Sequence, residues 1–122
     1  MDIDNIKKQV EIGQECLIKL SKYHPDRIKS GLEKIYDIYK DNLNHEYLSE
    51  EYNVSRSFSI EYNKDMIINS CQLRWSYWDS AYIDINSMGI KFVFNPEHGE
   101  RKIIADLPWQ IINMTIFDCV NE

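Results

Sequence analysis

Residues 54–62 read Val-Ser-Arg-Ser-Phe-Ser-Ile-Glu-Tyr, a two-residue alternation that follows an N-terminal half of helical periodicity. In a strand successive side chains face opposite ways. Val54, Phe58, Ile60 and Tyr62 are therefore expected to face a core, while Ser55, Ser57, Ser59 and Glu61 face water. This change of period sets the fold class as α+β. The expected architecture is an N-terminal helical hairpin packed on a four- to five-stranded antiparallel meander, with a C-terminal helix. A chain of 122 residues suits one hydrophobic core, so residues 1–122 are read as a single α+β domain.

Upstream of the alternation, Ile3, Ile6, Val10, Gly13, Leu17 and Leu20 recur at spacings of three and four and form one helical stripe. Pro25 ends that helix and suits the first turn of the next, whose stripe is Ile28, Leu32, Ile35, Tyr39 and Leu43. The connection is so short that the two stripes are expected to meet each other as well as a third surface. Residues 44–53 are polar with three apolar anchors, read as a fraying helix end or a separate turn.

Downstream, Asn63-Lys64-Asp65 is a turn cluster and residues 66–76 a second strand. Trp78-Asp79-Ser80 turns the chain into a third strand at 81–86, where Ala81, Ile83 and Ile85 alternate with Tyr82, Asp84 and Asn86. Ser87-Met88-Gly89 is a hairpin loop with a glycine available for positive φ, and Ile90, Phe92 and Phe94 give the returning strand a buried face. After the Pro96 to Gly99 punctuation, residues 101–105 make a fifth strand. Asp106-Leu107-Pro108-Trp109 reads as a helix start with proline in the first turn, and Trp109, Ile112, Ile116 and Val120 share one helical face.

Charge and cysteine usage narrow the function. The formal net charge is −6. Residues 1–43 hold eight basic and eight acidic side chains, whereas residues 44–122 hold six and twelve, so the excess belongs to the strand-rich part. Such a surface repels phosphate backbones, disfavours direct nucleic-acid binding and attracts a basic partner. The N-terminus carries acidic residues where a signal peptide needs basic ones, and apolar runs are far below the ~20 residues that cross a bilayer. Cys16, Cys71 and Cys119 are odd in number and unpaired in sequence, which suits free thiols in a reducing cytoplasm. His24, His45 and His98 lack ligand spacing, and no metal or cofactor is expected. No phosphate-binding glycine loop and no G-x-S-x-G elbow occurs.

Trp75, Tyr77, Trp78 and Tyr82 interleave with Arg74, Asp79 and Asp84. In strand geometry Trp75 and Tyr77 point one way and Trp78 the other, so at least one large ring is expected near the surface. Aromatic anchors beside charges make hot spots, and acidic residues speed encounter with a basic protein. The expected partner-binding residues are Trp75, Tyr77, Trp78, Asp79, Tyr82 and Asp84, with Glu61 and Asp65. Glu46, Glu50 and Glu51 add negative charge nearby. The pattern suits a non-catalytic, stoichiometric binding protein, such as an immunity-type inhibitor that neutralises a basic toxin, for example a nuclease. Two alternatives compete with it: a secretion chaperone, and a small-ligand or enzymatic domain with a pocket between helices and sheet lined by Trp75, Tyr77 and Phe92.

Overall fold

This computed structural model describes residues 3–40, 55–76 and 80–121. The chain begins with α1 (Ile3–Leu20) and α2 (Pro25–Tyr39), continues through β1 (Ser55–Tyr62), β2 (Ile68–Ser76), β3 (Ser80–Asn86), β4 (Gly89–Asn95) and β5 (Lys102–Pro108), and closes with α3 (Trp109–Asn121). The five strands form an antiparallel meander in the order β1-β2-β3-β4-β5. Strand boundaries fall within two residues of those read from the alternation at most ends. Pro108 differs, because it completes β5 opposite Gly89 instead of opening the helix. Leu43, residues 44–53 and Val54 lie outside the described residues.

Alternation is what places the sheet against the helices. Cys71, Leu73 and Trp75 on β2 are buried, as are Ala81, Ile83 and Ile85 on β3 and Ile90, Phe92 and Phe94 on β4. These residues join Leu17, Leu20, Ile28, Leu32, Ile35, Trp109, Ile116 and Val120 in one core cluster. Phe58, Ile60 and Tyr62 on β1 are half-buried against its margin, as the 54–62 pattern predicts. Tyr36 of α2 stacks on Trp75 with ring centroids 4.6 Å apart and lies 5.9 Å from Phe92. An aromatic pair in this geometry adds about 0.5–1.5 kcal/mol beyond its buried area. Ile3 is exposed, and α1 reaches the core only from its third turn onward, at Ile12.

The helical layer corrects one expectation. α1 and α2 are joined through residues 21–24, yet each packs chiefly against α3, which lies between them. Two glycines permit the approach. A Cβ on Gly31 of α2 would sit 2.8 Å from a methyl of Val120, and one on Gly13 of α1 would sit 2.6 Å from Trp109 Cδ1 and overlap the Ser87 carbonyl. Trp109 Nε1 donates to the Asn86 carbonyl at 2.6 Å, which ties α3 to the end of β3.

The turns are satisfied by asparagines. Asn63 Oδ1 accepts from the amides of Asp65 at 2.8 Å and Ile67 at 3.0 Å, supporting Met66 in the left-handed region at φ 62°. Asn86 Oδ1 accepts from the Met88 amide at 2.8 Å, and Gly89 takes φ 137° where a side chain would strike the Leu107 carbonyl.

Gly13→Ala is expected to destabilise the protein by about 1–3 kcal/mol through overpacking. Helix propensity alone would have made the same change stabilising. Chemical denaturation of the variant decides which effect wins, and a Gly13→Ala protein more stable than the parent would refute the α1/α3 notch.

Candidate functional site

Among the described residues the helices lie on one side of the sheet and the other side is an open face. Residues one step out of phase with the core point there: Ser57, Ser59 and Glu61 on β1, Gln72 and Arg74 on β2, Tyr82 and Asp84 on β3, Lys91 and Val93 on β4, and Ile103 and Asp106 on β5. Antiparallel sheets commonly keep one solvated face, so polarity alone marks nothing.

Two cross-strand rows give this face its character. In the first, Arg74 lies opposite Tyr82, Tyr82 opposite Val93, and Val93 opposite Ile103. Val93 is 0% exposed although it points away from the core, whereas Ile103 is 51% exposed. Arg101 accounts for much of this difference. It precedes β5, and its Nη2 donates to the Tyr82 hydroxyl at 3.2 Å, so its side chain reaches across β4 to β3. The arginine stem and the tyrosine ring together shelter Val93.

In the second row, Gln72, Asp84, Lys91 and Asp106 lie opposite one another in turn. A groove of about 610 Å³ runs along it, bounded by Tyr82 and Arg101 on one side and by Asn86, Met88 and Gln9 on the other. Asn86 Nδ2 donates to Asp84 Oδ2 at 3.3 Å. Partial burial nevertheless raises the Asp84 carboxyl above its ordinary range, against the lowering effects of that hydrogen bond and of the Lys91 charge.

The residues expected to bind a partner are dispersed. Tyr82, Asp84 and Glu61 share the open face. Asp65 sits beyond it in the exposed β1–β2 turn. Trp75 is 1% exposed and stacked beneath Tyr36, so it is interior and unavailable to a partner. Tyr77, Trp78 and Asp79, like Glu46, Glu50 and Glu51, lie outside the described residues. Trp75 and Phe92, expected to line a pocket between helices and sheet, instead pack against Tyr36 within the core.

Among the described residues the charges nearly balance. All fourteen lysines and arginines are among the described residues, but only thirteen of the twenty acidic ones are. The open face is balanced, with Glu61, Asp84 and Asp106 against Arg74, Lys91 and Arg101. Asp2, Asp41, Glu46, Glu50, Glu51, Asp79 and Glu122 are the seven acidic residues outside the described ones. Ser76, Ser80 and Asn95 align at one end of the sheet, and Glu97 and Glu100 stand exposed in the loop after Asn95.

Sequence reasoning missed Arg101 as a partner of Tyr82, since nineteen residues and a strand reversal separate them. Among the described residues no group of three or more His, Cys, Asp or Glu is placed to hold a metal ion. No helix among them is long and apolar enough to cross a membrane. Burial, with the Asp84 charge as a smaller cause, pushes the Cys71 thiol up to about 12, so it is not a thiolate at neutral pH. Comparison with known proteins identifies no matching family model, no curated relative and no similar solved structure.

A carboxyl with a raised folded pKa contributes most stability while protonated and loses it as pH climbs through that pKa. Asp84→Asn should accordingly melt higher than the parent at pH 7, with the margin closing as the pH falls below the normal carboxylate range. Paired thermal melts from pH 3 to 8 test this, and a margin that widens in acid would contradict it. Iodoacetamide should leave Cys71 unmodified in the native state and label it fully in denaturant, as mass spectrometry of a peptide digest would report.

Proposed function

We propose that this chain is a non-catalytic, stoichiometric binding protein that takes a basic macromolecular partner, in its most specific form an immunity-type inhibitor of a basic toxin such as a nuclease. The observation that carries this reading is the acidic surplus of the strand-rich part, where residues 44–122 hold twelve acidic side chains against six basic ones. Such a surplus acts at long range, raising the encounter rate with an oppositely charged partner and orienting it before contact.

Within this reading Tyr82, Asp84 and Glu61 contribute from the open face and Asp65 from the exposed β1–β2 turn. A reading as a cytoplasmic inhibitor also accommodates three buried free cysteines, which need no oxidising compartment.

Affinity capture with tagged protein, followed by association kinetics with the captured partner, tests the proposal. The expected partner is basic, binds one to one, and associates more slowly as salt rises. Glu97→Lys combined with Glu100→Lys should slow association about tenfold at low ionic strength while leaving the melting temperature nearly unchanged. A partner of acidic pI, an association rate indifferent to salt, or turnover of a substrate by the purified chain would each reject it.

A further inference from the structure

Arg74 and Arg101 flank Tyr82 on the open face, from β2 on one side and from the start of β5 on the other. Among the described residues Arg74 makes no hydrogen bond or ion pair, and Arg101 makes only its bond to the tyrosine hydroxyl. A guanidinium offers five N–H donors in a planar fork that matches a carboxylate. Most of the donors on these two side chains are therefore unfilled by the described residues. Beside them the exposed Ile103 supplies an apolar contact. Arginine, tyrosine and an exposed aliphatic side chain in one row have the composition of a binding hot spot.

The geometry points to an interaction surface on the open face of the sheet. We propose that the Arg74–Tyr82–Arg101 row takes a protein partner element that presents a single carboxylate beside an apolar side chain, the carboxylate held between the guanidinium groups and the apolar part lying on Ile103. Charge complementarity names the occupant. Asp84 and Asp106, one rung away on the same face, repel a run of acidic residues and leave room for one carboxylate over the arginine row. They equally oppose the repeated phosphates of a nucleic acid. This inference does not rest on the basic-partner reading, and each can fail while the other stands.

The probes are the peptide acetyl-Leu-Phe-Glu-Leu-amide and its Gln counterpart, titrated into the full chain and followed by NMR of the arginine Nε–Hε groups and backbone amides. The Glu peptide is expected to shift Arg74, Arg101 and the amides of β3 and β4 saturably, with the Gln peptide at least about tenfold weaker. Arg74→Gln and Arg101→Gln should each weaken the Glu peptide, and Tyr82→Phe should free the Arg101 fork without abolishing binding. Arg74 has no intramolecular bond to lose among the described residues, so its variant separates loss of binding from loss of fold. The proposal is overturned by the absence of a saturable shift at these arginines, by equal response to the two peptides, or by tighter binding of a ten-residue oligothymidine. It is also overturned if sedimentation shows a second copy of the chain occupying the row, through a dimer that the double Gln variant dissociates.

Discussion

The architecture depends on the close approach of α3 to both N-terminal helices. Trp109 enters the notch left by Gly13, and Val120 meets Gly31, so one helix buries apolar surface against two neighbours and the sheet at once. The indole N–H bonded to the Asn86 carbonyl anchors that helix to the β3 end of the sheet. Because the burial is concentrated in a three-helix layer on one side, the meander needs no second layer. The exposure of the opposite face is a consequence of how the core closes.

The strands were legible because a sheet with one solvated face writes its geometry into the sequence at period two, as in Ser57-Phe58-Ser59-Ile60-Glu61. β4 blurs the signal, since Val93 is buried on the side away from the core and Ile90, Phe92 and Phe94 on the core side. The packing of the helices was not legible. Two periodic stripes joined by a short turn imply a simple pair, and nothing local to residues 3–39 announces a third helix arriving from the far end of the chain. The glycines were the available sign: Gly13 falls on the buried stripe of α1, where a missing side chain implies a close neighbour.

The site was legible only in part, for a related reason. Period two separates Leu73 and Trp75 from Gln72 and Arg74 without saying which set faces the helices, so Trp75 is expected among the partner-binding residues although it is interior. Tyr82, in contrast, lies in phase with Asp84 and Asn86 and was correctly grouped with polar neighbours. The arginine that completes its surroundings arrives from the far side of β4, past an irregularity in the β4–β5 pairing at Phe92/Val93. Such a bulge shifts the phase of one strand against the next, so a contact across it has no fixed spacing in sequence.

Net charge says less than periodicity does, because a total carries no geometry. On the open face the signs are sorted into rows, with Arg74 and Arg101 about Tyr82 and with Asp84 and Asp106 about Lys91. Tyr82 and Asp84 are two residues apart on β3, which at strand rise is roughly 7 Å. That is less than the ~8 Å screening length at physiological salt, so the two rows act on an arriving molecule as one dipole. A molecule that engages both must present its own charges in the reverse order along this line. Rotating it by half a turn would set like charges against each other at both positions, and the boundary between the two rows would then fix orientation as well as attraction.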